Sequence, residues 1–289
     1  MTRLIVNADD FGLTAGVNRA IVELHQAGVL TSTTLMARAT ATEEAIELAQ
    51  ATPSLGVGCH VVLVDGEPML PANQLPTLVD QQTGRFQATL GAFLKRLLAG
   101  RIRADEIHAE AAAQIASLQS HGLRLTHIDT HKHMHMFPAV LRPVLRAARA
   151  AGIHVVRNPF EPGWSLRATP IAPWIRRAEV KLLRRMEPVF RRIVAEEGFF
   201  TTDGAVGVLA TGTLDTSTVA SLLGALPAGT FELVSHPGYN DAALARANTR
   251  LLASRETERS ALETVKQFPA VDLVSFAALS PKPASTPDT

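Results

Sequence analysis

A distorted (β/α) barrel, TIM-barrel-like and built on about seven parallel strands, is the α/β fold this 289-residue sequence predicts. Three observations carry the expectation. Short apolar runs rich in Val, Ile and Leu alternate with helical periodicity, the pattern of strands joined by crossover helices. The alternation extends over most of a chain long enough to bury roughly three quarters of its unfolded surface in one domain. Acids and histidines recur where the strand candidates end, and in parallel α/β folds those ends share the face on which sites are built.

The first strand is expected at residues 3–7, ending in acids, and the helical pattern that follows runs from about Thr14 to Gly28. A strand at 30–36, a helix at 43–50 and a strand at 56–63 repeat the unit. Helices are then expected at 90–98 and 104–120, strands at 125–129, 153–157 and 231–235, and a helix over 140–150 with Pro138 at its start. Residues 65–102 and 160–200 break the alternation and read as insertions in a single domain spanning 1–279. Residues 280–289, with three prolines, read as a disordered tail.

Composition excludes several classes. The chain is 46% hydrophobic and 19% charged, and no stretch approaches the roughly 18 apolar residues of a membrane span. A net charge of +1 gives no general attraction to nucleic acid. Two acids stand where a signal peptide would need its apolar stretch, so the expected compartment is the cytoplasm. One cysteine, Cys59, rules out an intrachain disulfide and any multi-cysteine zinc site, so a metal would rest on His and carboxylates.

Four of the ten histidines fall within nine residues, His127-Ile-Asp-Thr-His131-Lys-His133-Met-His135. Were the segment extended, His131, His133 and His135 would present imidazoles to one cavity, and imidazole binds divalent transition metals well. Asp9 and Asp10 are successive carboxylates at an apolar strand end, where a cation would relieve both their repulsion and their burial. One can then ligate while the other acts as general base. A bland alternative, an acidic turn or helix cap, accounts for them equally well on local grounds. His60 lies late in a strand, with Cys59 pointing to the opposite face and read as core. His236, in Ser235-His-Pro-Gly238, sits at a strand end where an imidazole can act as general acid. No Gly-x-Ser-x-Gly elbow surrounds Ser235, which argues against a serine triad.

Four spaced motifs carry a resemblance: Asn7-Ala-Asp-Asp-Phe-Gly12, Gly58-Cys-His60 with Leu63, the histidine run with Phe137-Pro138, and Ser235-His-Pro-Gly238. Together they resemble the YdjC-like carbohydrate deacetylases, the ChbG/HpnK family, from Leu4 to about Phe276. The stretch from Leu63 to Pro71 resembles the hopanoid-associated branch. The resemblance implies a metal-dependent hydrolase removing an N-acetyl group from an amino sugar. One divalent ion, magnesium or zinc, would be held by Asp10, His60 and His131. Asp9 would be the base and His236 the acid, with His133, His135 and Arg157 contacting substrate. Expected partners are an N-acetylated sugar or glycolipid and, as further options, a second copy of the chain in a homodimer and the inner-membrane surface. The membrane contact would run through the arginine-rich residues 174–192. The rival readings are a metal phosphoesterase on the same scaffold and a non-catalytic sugar- or lipid-binding protein.

Overall fold

In the computed structural model, which describes residues 1–170 and 172–279, a parallel sheet lies at the centre and its first strand lies in the middle of it. Strand β1 (Thr2–Phe11) is followed by α1 (Ala15–Gln26), β2 (Ser32–Leu35), α2 (Thr42–Ala51) and β3 (Gly56–Val61). Then come α3 (Leu90–Leu98), α4 (Ala104–Ser120), β4 (Ile128–Thr130) and α5 (Pro138–Ala150). Helices α6 (Gly163–Ala168), α7 (Trp174–Leu183) and α8 (Glu187–Glu196) lead to β5 (Gly204–Val206), α9 (Thr216–Gly224), β6 (Gly229–Ser235), α10 (Ser254–Leu262) and β7 (Asp272–Leu273). The sheet order is β4-β3-β2-β1-β6-β5, with β7 against the start of β1, and every pairing is parallel.

The ends of this sheet curl toward each other. The segment expected as a strand at 153–157 forms isolated bridges, Val156 to Ile128 and Val155 to Phe200. Ile128 donates to the Val155 carbonyl, Arg157 to that of Ile128, and Ala205 of β5 to that of Phe160. This segment therefore spans the gap between β4 and β5, and the barrel is distorted there. The strand expected at 125–129 begins later, at Ile128, because Thr126 and His127 exchange only single backbone bonds with β3. The expected tail at 280–289 lies outside the described residues.

Local chemistry explains the other elements. Thr14 caps α1 by accepting from Val17 N, and Pro138 begins α5, where its missing N–H costs nothing. The 65–102 insertion is tied down from α4, whose Glu106, Glu110 and Gln114 repeat at every fourth residue and share one face. Gln114 pairs with Val62, Glu110 accepts from Met69 and Leu70, and Glu106 from Thr77 and Leu78. In the 160–200 insertion, α7 buries none of its residues and exposes Trp174, Ile175 and Leu182. Arginines anchor it: Arg176 donates to the carbonyls of Val208 and Leu209, and Arg177 to those of Leu166 and Thr169.

Inside the barrel, away from the strand ends, Ile5, Val155 and Phe276 form a small apolar cluster, and His127 stacks on Phe276 with ring centres 3.8 Å apart. Gly58 faces that imidazole. A Cβ at Gly58 would stand 2.5 Å from His127 Cε1, and the ring cannot retreat because Phe276 lies behind it. Gly58→Ala should therefore destabilise the protein by about 1–3 kcal/mol, read as a lower denaturation midpoint in urea with an unchanged slope. An unchanged midpoint would refute this packing.

Candidate active site

Strand β1 delivers two acids to one place by breaking its own alternation. Its register with β2 shifts between Ala8 and Phe11, and Asp10 adopts a left-handed φ of 66°. In a regular strand Asp9 and Asp10 would face opposite sides. The bulge turns both toward the carboxyl ends of the strands, and Asp is among the residues that tolerate this conformation.

Register places the next pair. His60 of β3 lies beside Asp129 of β4, and its Nδ1 bonds Asp129 Oδ1 at 2.8 Å. His60 Nε2 is left facing Asp10 Oδ1 at 3.6 Å and His131 Nδ1 at 3.3 Å, while His131 Nδ1 lies 3.5 Å from the same Asp10 oxygen. All three donor atoms lie within 4.8 Å of one another. Two imidazoles and one carboxylate at this spacing, with one histidine oriented by a carboxylate behind it, fit a divalent transition metal. Magnesium prefers oxygen donors and fits this set less well.

A second group, Asp9, His60 and Asp129, is also close enough to chelate, but a guanidinium already serves it. Arg157 is fully buried and makes a two-pronged bond to Asp9, Nη1 to Oδ2 at 2.8 Å and Nη2 to Oδ1 at 2.6 Å. It also pairs with Asp129 and, through Nε at 2.8 Å, with Glu232. Arg157 is thus an internal clamp among these carboxylates.

Electrostatics follow from these contacts. Burial alone would raise the Asp9 pKa, but Arg157 outweighs it and holds Asp9 far below the usual carboxylate range. Asp10 is likewise held low against its burial, chiefly by Arg255, whose Nη2 donates to Oδ2 at 2.6 Å. Burial dominates at Glu232, pushing it up to about 8 despite Arg157. His60 is pushed up to about 9: burial opposes its charge, and Asp129, Asp9 and Asp10 overcome that.

His236 completes the ring. Its Nε2 is 3.8 Å from Asp9 Oδ2, and its Nδ1 is 3.6 Å from Glu258 Oε2, which also accepts from the His236 backbone at 2.6 Å. Burial favours the neutral ring, but Glu258 prevails and sets the His236 pKa above the ordinary histidine value. Glu258 Oε1 accepts from Gly212, tying the loop after β5 to the same carboxylate.

The histidine run departs from its expected form. His131–Met136 is a kinked 3-10 turn with left-handed φ at Lys132 and His133, so the imidazoles do not alternate along an extended strand. His131 stays at the mouth. His135 is fully buried, bonded through Nδ1 to Thr130 at 2.8 Å and packed near Phe190. His133 is half-buried beside it, and burial with the nearby Arg157 charge pushes its pKa down to about 3. On the rim, Asp65, itself at a left-handed φ, joins Lys132 and Asn248 from two other loops. Cys59 is core, and the Ser235 hydroxyl is bonded to the Asn7 carbonyl at 2.8 Å, which leaves no serine triad. Asp129, Glu232, Arg255 and Glu258 were not singled out in the sequence. The only local signal was the placement of Asp129 two residues before His131.

The family model described as YdjC-like protein matches residues 3–268. The chain is 30% identical over 270 residues to a carbohydrate deacetylase of Thermoanaerobacter pseudethanolicus, covering 93% of this chain and 94% of that protein. It is 44% identical over 146 residues to a carbohydrate deacetylase of Brevibacillus brevis, where the match spans 50% of this chain and about half, 55%, of that relative. A solved structure from Enterococcus faecalis V583, described as a cellobiose-phosphate cleavage protein, is similar over 97% of this chain and 99% of its own, with 27% identity and a TM-score of 0.77. With the match spanning nearly the whole described chain, this protein belongs to the YdjC-like family.

Proposed function

We propose that the protein is a metal-dependent hydrolase that removes the N-acetyl group from an amino sugar, giving acetate and a free amine. The convergence of Asp10, His60 and His131 beside Asp9 and His236 carries this reading. The names of the carbohydrate deacetylase relatives supply its substrate class. A divalent cation held by the three ligands would polarise the amide carbonyl and acidify water, which matters because a carboxylate as stabilised as Asp9 is a weak base.

Asp9 offers one oxygen for the proton. Its Oδ1 already accepts from Arg157, Asn7 at 3.0 Å and Thr34 at 3.2 Å, whereas Oδ2 accepts from Arg157 alone and faces His236. Oδ2 is thus the proton-accepting atom. His236, whose pKa Glu258 raises, donates to the departing amine. His133 stays neutral and lies two residues past His131 in the same turn, which supports it as the histidine of the run that bonds a sugar hydroxyl. Lys132 and Asp65 form the rim.

The phosphoesterase reading calls for a second cation. Arg157 occupies the place where that cation would bind, between Asp9 and Asp129, which favours the one-cation amide hydrolase. A lipid-linked acceptor is the finer reading supported by α7, where exposed Trp174, Ile175 and Leu182 stand beside Lys181 and Arg185.

Acetate released from N-acetylated glycans by the purified protein tests the reaction. Chelator should abolish it, His131→Ala should abolish it, and Asp9→Asn should lower kcat roughly 100- to 10,000-fold. Activity that survives chelation removes the cation. The pH profile tests His236: kcat should hold below its raised pKa and fall as pH rises through it, and Glu258→Gln should shift that limb to lower pH. A limb that stays in place would assign the acid elsewhere. Co-sedimentation with anionic phosphatidylglycerol vesicles at low salt should be lost in the double variant Trp174→Ser, Leu182→Ser, and no binding by the parent protein would remove the lipid surface from the scheme.

A further inference from the structure

The two oxygens of Asp10 do different work. Oδ1 faces both histidines, at 3.6 and 3.5 Å, while Oδ2 is taken by Arg255 Nη2 at 2.6 Å. Arg255 is fully buried, and its Nε donates to the Leu251 carbonyl at 3.0 Å, so its guanidinium is held at both ends. It reaches Asp10 past Gly238. A Cβ at Gly238 would stand 3.0 Å from Arg255 Cδ and 3.1 Å from Val17 Cγ2, and the Gly238 N–H bonds the Arg255 carbonyl at 3.3 Å. Gly238 has no left-handed φ to explain its identity, so clearance is the physical reason for glycine in Ser235-His-Pro-Gly238.

We infer that Arg255 is the positioning residue of the cation site: it engages Oδ2, leaves Oδ1 as the single carboxylate donor aimed between the two imidazoles, and relies on Gly238 for its path. The inference rests on the one-cation reading above. Its rival is that Arg255 only neutralises a buried acid, and the two differ in sign. A guanidinium 2.6 Å from a ligand repels an incoming cation, so if charge were its whole role, removing it would tighten metal binding. If its role is to aim the carboxylate, removal weakens binding, because oriented ligands lose affinity when their supporting partner is lost.

The test is titration of metal-free full-length protein with Zn²⁺ against a competing chelator dye, with the Co²⁺ absorption spectrum as a readout of ligand geometry and circular dichroism as a check on folding. Arg255→Met should weaken Zn²⁺ binding roughly 10- to 100-fold and alter the Co²⁺ spectrum. Arg255→Lys should recover part of the affinity. Gly238→Ala, which leaves the arginine in place but obstructs it, should weaken binding in the same direction. Arg255→Met binding Zn²⁺ as tightly as the parent, or more tightly, overturns the inference. If that variant does not fold, parental Zn²⁺ affinity in both Arg255→Lys and Gly238→Ala overturns it. Failure of the parent to bind Zn²⁺, or binding that His131→Ala leaves unchanged, refutes the cation reading itself, and that result is separate from any ranking of the variants.

Discussion

The buried guanidinium of Arg157 is the constraint on which the rest of the site depends. It links Asp9 on β1, Asp129 beside His60, and Glu232 on β6, three strands joined through one side chain with no solvent exposure. Such a cluster is a poor source of net stability, because desolvation offsets most of the Coulomb gain, but removing one partner costs on the order of 3–5 kcal/mol. Its contribution is geometric. Asp129 is fixed by Arg157 and in turn fixes His60, so Asp9 and His60 are referred to the same fork.

Bringing two adjacent acids to one centre needs a second device. A left-handed backbone at a non-glycine residue costs roughly 1–3 kcal/mol, and at Asp10 it is offset by the ion pair to Arg255 and by the histidines on the other oxygen. The strain and the counter-charges belong together. With Asp9 held by one arginine and Asp10 by another, both carboxylates remain ionised within the same small volume, where mutual repulsion would otherwise protonate one of them.

How much of this was legible followed the range of the interactions. Strand ends marked Asp9, Asp10, His60 and His236, because apolar periodicity locates a strand and the first polar residue after it stands at the site face. The opposite facing of Cys59 and His60 also followed from period alone. The left-handed turn at Lys132 and His133 carried no such mark, since neither is glycine, and the segment read as extended. Arg255 and Glu258 lie on α10, a helix rich in charge whose inward pair looks locally like its outward Arg259 and Glu256. Their role depends on contacts with residues far away in sequence, and a helical period does not record which charged face meets the barrel. Strand β5 was missed because three residues are too short for any period.

Closure of the barrel and construction of the site are the same event. The 153–157 segment read as a strand, yet it joins its neighbours through isolated bridges instead of a continuous ladder. Those few backbone bonds would hold an edge weakly. Arg157 ends that segment and reaches across the interior to β1, β4 and β6, so side-chain ion pairs hold the seam where backbone pairing is thinnest. The seam cannot open without releasing Asp9, and the acids cannot be gathered without drawing the segment in. The distortion of the barrel at this place is therefore the geometry that allows a strand end to turn inward and deliver a guanidinium beneath the candidate site.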